Sequence, residues 1–164
     1  MKRSALKKRS KRPIKLYEDY LDDLWRTIIK LRDKGIDQYT FKTKGVIKPG
    51  KDSHHIFSRK IRNTRWDTRN GILVMGLHNY HDPHISPAKF HDWLILNWFK
   101  SVREYEMLKL RSEIIGVKID RVGVEILLTQ ELIALAKLPF DWYELSVNKR
   151  KNVLREFRKE VAYR

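Results

Sequence analysis

The chain has 164 residues, enough for one domain of the usual ~100 to 200 residues together with a helical extension. It carries 36 Lys and Arg against 20 Asp and Glu, a formal charge of +16, and still has five Trp, seven Tyr and six Phe to build a core, so a folded basic protein with a polyanionic partner is expected. The absence of cysteine excludes disulfides and thiolate zinc sites; no signal-like stretch at the start and no apolar run of about 18 residues point to the cytoplasm and to no membrane partner.

Residues 1–16 read as a basic, disordered arm. The first fifteen hold eight Lys or Arg and no acid, so the arm is expected to order only on its partner. Residues 17–50 read as an N-terminal helix and the loop after it. Tyr17, Tyr20, Leu21, Leu24, Ile28 and Leu31 recur at helical spacing, with acids early, bases late and Gly35 as a stop. Gly45, Pro49 and Gly50 mark a loop, with a short strand expected around Val46 and Ile47.

Residues 51–95 form the central unit. A strand is expected over residues 54–58, a charged loop to Asn70, and a second strand over residues 72–75. A short helix should hold His78 to Asp82 and end at Pro83, because the residue before proline avoids the helical region. Residues 96–164 read as a helical extension. Ser86 and Pro87 signal the start of the helix that leads into it, carrying Phe90, Trp93, Leu94 and Trp98. Further helices are expected from Arg103 to Ile115, from Asp120 as a cap to a stop at Pro139, and along Val147, Leu154, Phe157 and Val161.

All six histidines fall between His54 and His91, two of them adjacent, which concentrates imidazole chemistry in one window. Imidazole serves as a metal ligand and as a base near neutral pH. Phosphodiester hydrolysis needs an activated water and a cation on the scissile phosphate, roles that histidine and a divalent ion fill. Adjacent side chains of a strand point to opposite faces, so His54 and His55 cannot do the same job. One can turn to the metal and the other to the water, given some local twist. The amide of Asn70 would hold the connecting loop or orient the imidazole through neighbouring backbone. His78, Asn79, His81 and His84 present metal-capable atoms, and Arg59, Arg62, Arg65 and Arg69 stand where they would clamp phosphates. His91, on an amphipathic helix, reads as a satisfied structural residue.

The order His54-His55, then Asn70 fifteen residues later, then a histidine cluster after a short apolar strand, resembles the HNH (His-Asn-His) endonucleases. The stretches HHIFSRK, TRWDTRNGI and HISPAKFHDWL are most similar to small phage-associated nucleases of the NinG and endonuclease VII recombination types, over about residues 51–95. The resemblance implies an α+β fold in which a strand-strand-helix metal finger is embedded in a mostly helical domain. It implies His55 as the general base, His54 as the first metal ligand and Asn70 as the structural asparagine. Many relatives carry Cys-x-x-Cys after the second strand. Aligned without gaps, Met75 and His78 fall in those slots and Asn79 in the ligand slot; shortened by one residue, His78 becomes the ligand, and imidazole binds transition metals better than an amide. His84 fits the last ligand position, with His81 as its alternate. Packing of Phe57, Trp66, Leu73 and Met75 is expected to replace the structural zinc.

The resulting expectation is a metal-dependent nuclease of phage or prokaryotic host cell that hydrolyses DNA with Mg2+ or Mn2+, or with Zn2+ or Ni2+. A homodimer would cut both strands. The alternative is a catalytically inactive nucleic-acid-binding protein that keeps the finger as a scaffold, and a basic ribosome-associated protein explains the charge but not the histidines.

Overall fold

The computed structural model describes residues 13–76 and 86–162. Among them the chain is mixed α/β and mostly helical, with six α-helices and one two-stranded antiparallel sheet. None of these helices is long and apolar enough to cross a membrane.

Helix α1 runs from Pro13 to Arg32. It opens inside the segment expected to be a disordered arm, since proline in a first turn has its φ already set and gives up no needed N–H. The rest of the arm, residues 1–12, lies outside the described residues. The earlier start moves Glu18, Asp19, Asp22 and Asp23 out of the first turn, so they do not act there on the helix dipole. Three of them bind cations from elsewhere instead: Glu18 pairs with Arg121 at 2.7 Å, Asp22 with Arg65 at 2.7 Å, and Asp23 with Lys151 at 3.2 Å and Arg158 at 3.4 Å. The helix ends with Lys34 N–H bonded to Leu31 O and Gly35 N–H to Lys30 O, the paired bonds of a left-handed helix stop. Lys34 itself takes the left-handed conformation at φ 55°, and Gly35 follows at 69°. Gly35 is needed for space as well, since a Cβ there would lie 2.8 Å from the Val161 carbonyl oxygen.

The segment expected to be a loop holds a second helix, α2 (Gln38–Lys44), bracketed by Asp37 as N-cap and Gly45 at φ 66°. Seven residues are too few to show a hydrophobic period, although both end signals are in the sequence. The strand expected around Val46 and Ile47 is replaced by one isolated bridge between Ile36 and Pro49.

Strands β1 (Asp52–His55) and β2 (Gly71–Val74) pair antiparallel, with His55 opposite Gly71 and His54 opposite Ile72. Both lie one or more residues earlier than the sequence suggests. The first strand stops at His55 because the Asn70 side chain, not a neighbouring strand, takes up the backbone of Phe57. The alternation of the pleat divides two cores. Leu73 joins Trp25, Ile28, Ile29 and Trp66 on the α1 side, whereas Ile72 and Val74 join Phe90, Leu94 and Tyr105 on the other.

The second core is built on α3 (Pro87–Asn97) and α4 (Val102–Glu113). Pro87 opens α3, but Ser86 makes no side-chain cap bond; the hydroxyl of Ser101 does cap α4. Asp120 caps α5 (Arg121–Leu135) through the N–H groups of Val122 and Gly123, and the helix ends before Pro139. Together with α6 (Val147–Ala162), α5 packs on α1, so the C-terminal extension shares its core with the ribbon. The short helix expected at His78 to Asp82 lies outside the described residues.

A methyl on Gly71 would lie 2.5 Å from Trp25 Cζ2 and would also meet Ile29 Cδ1. Gly71→Ala therefore overpacks the α1–ribbon contact and should destabilise the protein by about 1–3 kcal/mol, read as a lower urea midpoint. An unchanged midpoint would show that α1 does not press on the ribbon there.

Candidate functional site

His55 closes β1 on the α1 face, where the missing side chain of Gly71 leaves room for it beside Trp25. The two rings are stacked, 3.9 Å between centroids and 10° between planes. His55 Nε2 lies 2.9 Å from the backbone oxygen of Arg65. A carbonyl only accepts, so Nε2 carries the proton and Nδ1 keeps its lone pair. Burial lowers the imidazole pKa from 6.5 to about 4, against the opposing pull of the Arg65 carbonyl and of Asp22. The ring is neutral at pH 7 in this fold, which a base must be.

Asn70 is fully buried at the start of β2. Its Oδ1 accepts from Phe57 N–H at 2.7 Å, while Nδ2 donates to Phe57 O and Thr64 O, both at 2.9 Å. One amide thus cinches the loop that leaves β1. Thr64 precedes Arg65, whose carbonyl holds His55, so Asn70 acts on the imidazole through backbone. The Trp25 indole adds a bond to Asp67 O at 3.1 Å and ties the same loop to α1.

His54 lies on the other face of the ribbon, edge-on to Phe90 with ring centroids 5.7 Å apart. Adjacent in sequence, the two histidines stand on opposite sides of the sheet. The other four expected ligands, His78, Asn79, His81 and His84, lie outside the described residues. Among the described residues no group of three His, Asp or Glu could hold a metal ion, and His54 is the one expected ligand that falls within them. His91 bonds through Nδ1 to the Tyr105 hydroxyl at 2.5 Å and meets Phe57 edge-on, a core arrangement in which burial lowers its pKa.

The four arginines divide. Arg65 grips Asp22 through two bonds of 3.0 and 2.7 Å and lies over the Trp66 ring, so it is committed to the fold. Arg69 forms a bidentate pair with Asp67 but keeps half its side chain exposed. Arg59 and Arg62 are exposed and, among the described residues, have no carboxylate partner. Both line a cleft of about 800 Å³ along α1, whose wall also carries Lys15, Arg26 and Lys151 and the carboxylates of Glu18, Asp19, Asp22 and Asp23.

Trp25, Asp22 and Arg26 are the participants that sequence reading misses. Trp25 sits in the apolar stripe of α1 like any core residue; the only hint is Gly71, a strand position with no side chain directly after Asn70. No family model matches the chain, and neither does any curated protein or solved structure.

Asn70→Asp keeps the acceptor for Phe57 N–H but has no donor for the Phe57 and Thr64 carbonyls. It should cost about 2 kcal/mol or more in urea denaturation, since two buried acceptors lose their partner; a neutral effect would show that the amide does not hold the loop. The lowered pKa of His55 adds a pH signature. The fold favours the neutral ring, so this contribution is fully present above pH 6.5 and is lost as pH falls toward about 4. In EDTA, the wild-type Tm should drop more steeply between those limits than that of His55→Gln, and parallel curves would place His55 in water.

Proposed function

We propose that the chain is a metal-dependent nuclease of the HNH type that hydrolyses DNA phosphodiester bonds. The observation that carries the reading is the state of His55: a neutral imidazole with one nitrogen anchored on a carbonyl and a lone pair on the other. Such a ring can take a proton from water. Asn70 acts as the positioning residue, holding the Thr64 carbonyl one residue before the Arg65 carbonyl on which the ring is anchored.

The finger would consist of the β1–β2 ribbon and the chain that follows it, with His54 as the first metal ligand and the others drawn from His78, Asn79, His81 and His84. A divalent ion held there supplies positive charge to the scissile phosphate and to the departing oxygen. The surplus of 16 positive charges, and an Arg59 and Arg62 that have no carboxylate partner among the described residues, favour a phosphate backbone as partner.

A second reading, a nucleic-acid-binding protein without catalysis, is favoured by one observation. His55 is stacked on Trp25 while His54 faces α3, so a base and a metal ligand must meet across the ribbon edge rather than on one face.

Supercoiled plasmid and a four-way junction, each incubated with Mg2+, Mn2+ or EDTA, separate the two. The nuclease reading expects cleavage that EDTA abolishes, and a loss of about 10²- to 10⁴-fold in His55→Ala with DNA affinity nearly intact. His55→Gln, which keeps a donor for the Arg65 carbonyl, guards against a merely unfolded variant and should lose activity equally. DNA binding without cleavage under every metal would leave the binding protein.

A further inference from the structure

A second cavity, of about 370 Å³, lies between residues 62–69, the end of α4 and one face of α5. That size falls in the lower range of pockets that enclose small organic ligands. Its floor is apolar, built by the buried Trp66 and Leu128 with Val124 and the exposed Leu127. Its polar lining comprises three guanidiniums, the carboxylates of Asp67 and Glu131, and the side chains of Asn63 and Thr68. Asp67 is shared by two arginines, accepting from Arg69 at 3.0 and 2.8 Å and from Arg111 at 2.6 Å, which fixes both planes and leaves each arginine donors to spare. Arg62 adds a third guanidinium, which has no carboxylate of its own among the described residues. Against Asp67 and Glu131, the cavity has a surplus of one positive charge.

An apolar floor beside a small cationic surplus excludes two simple occupants. A purely apolar ligand would leave the guanidiniums unanswered, and a polyphosphate would call for more charge than one surplus cation. A single nucleotide matches both parts, with a flat base for the floor and one phosphate for the arginines. Arg62 also lines the larger cleft along α1, so the two sites adjoin at one side chain. We infer that this cavity takes one unstacked nucleotide, its base on Trp66, Val124 and Leu127 and its phosphate among Arg62, Arg69 and Arg111. The inference rests on the nucleic-acid partner proposed above, though not on cleavage. Two sources share the chemistry, a nucleotide splayed from a strand and a free mononucleotide.

The test is a titration in EDTA of methyl-labelled full-length protein, once with deoxyadenosine monophosphate and once with a short single-stranded oligonucleotide. The Val124, Leu127 and Leu128 methyl resonances should shift with both. Leu127→Glu, at an exposed position, should weaken oligonucleotide binding by about tenfold or more, as loss of a base contact does. Ile133→Glu, equally exposed on the same helix but outside the cavity, adds the same charge and should leave binding near the wild-type value. Equal loss in both variants, or methyl shifts confined elsewhere, overturns the inference. Shifts with the mononucleotide but not the strand overturn the strand as source. Cleavage of DNA with unmoved methyls sinks the cavity and spares the nuclease; moved methyls without cleavage under any metal do the reverse.

Discussion

The contact between Trp25 and the ribbon at Gly71 is the constraint on which the rest of the molecule depends. Because residue 71 has no side chain, α1 comes close enough for the indole to stack on His55 and for its N–H to reach the Asp67 carbonyl. One aromatic side chain thereby fixes the helix, the end of β1 and the loop that carries Arg59 to Arg69. The buried Asp33 and its neighbour Arg32 reinforce the junction: Asp33 accepts from Leu73 N–H at 2.8 Å, and Arg32 donates to Thr68 O and Gly71 O, both at 2.8 Å. Burial raises the Asp33 pKa, and the bidentate Arg32 opposes that shift.

Charge is spent unevenly around this junction. Glu18, Asp22 and Asp23 of α1 are engaged by Arg65, Arg121, Lys151 and Arg158, which reach the helix from the loop after β1 and from α5 and α6. Glu125 likewise binds Tyr17, Tyr20 and Arg150 between α1, α5 and α6. These pairings engage Glu18, Asp22 and Asp23 beside the cleft, and among the described residues no carboxylate pairs with Arg59 or Arg62 on the loop that Asn70 cinches. A basic composition alone does not locate a binding face. The pairing pattern narrows where the proposed partner would bind, because a guanidinium already held by a carboxylate offers less to a phosphate than one without such a partner.

The helices with a sustained hydrophobic period, α1, α5 and α6, were legible from residue spacing, as was the two-strand unit around His54 and Asn70. Helix α2 was not, because seven residues show caps but no period. The start of α1 is not legible, because the seven Lys and Arg of residues 1–12 outweigh the helix signal of Pro13. At the site, the opposite orientation of His54 and His55 follows from strand alternation and was readable in advance. The partner of each ring was not, since Trp25 and Phe90 are ordinary members of apolar stripes until the helices dock. The pairing of Arg65 with Asp22 joins positions 43 residues apart, and no local pattern announces it.

The central proposal is that the neutral His55 works together with a metal held by His54 across the edge of the ribbon. A Zn2+ titration of protein with 15N-labelled histidine tests it most directly, since coordination moves the resonance of the ligating ring nitrogen. The account predicts a coordination shift on one nitrogen of His54, a His55 that stays an uncoordinated Nε2–H tautomer, and a His91 unchanged at its Tyr105 contact. A His54 ring unaffected at saturating Zn2+, or a His55 that itself binds the ion, would contradict it.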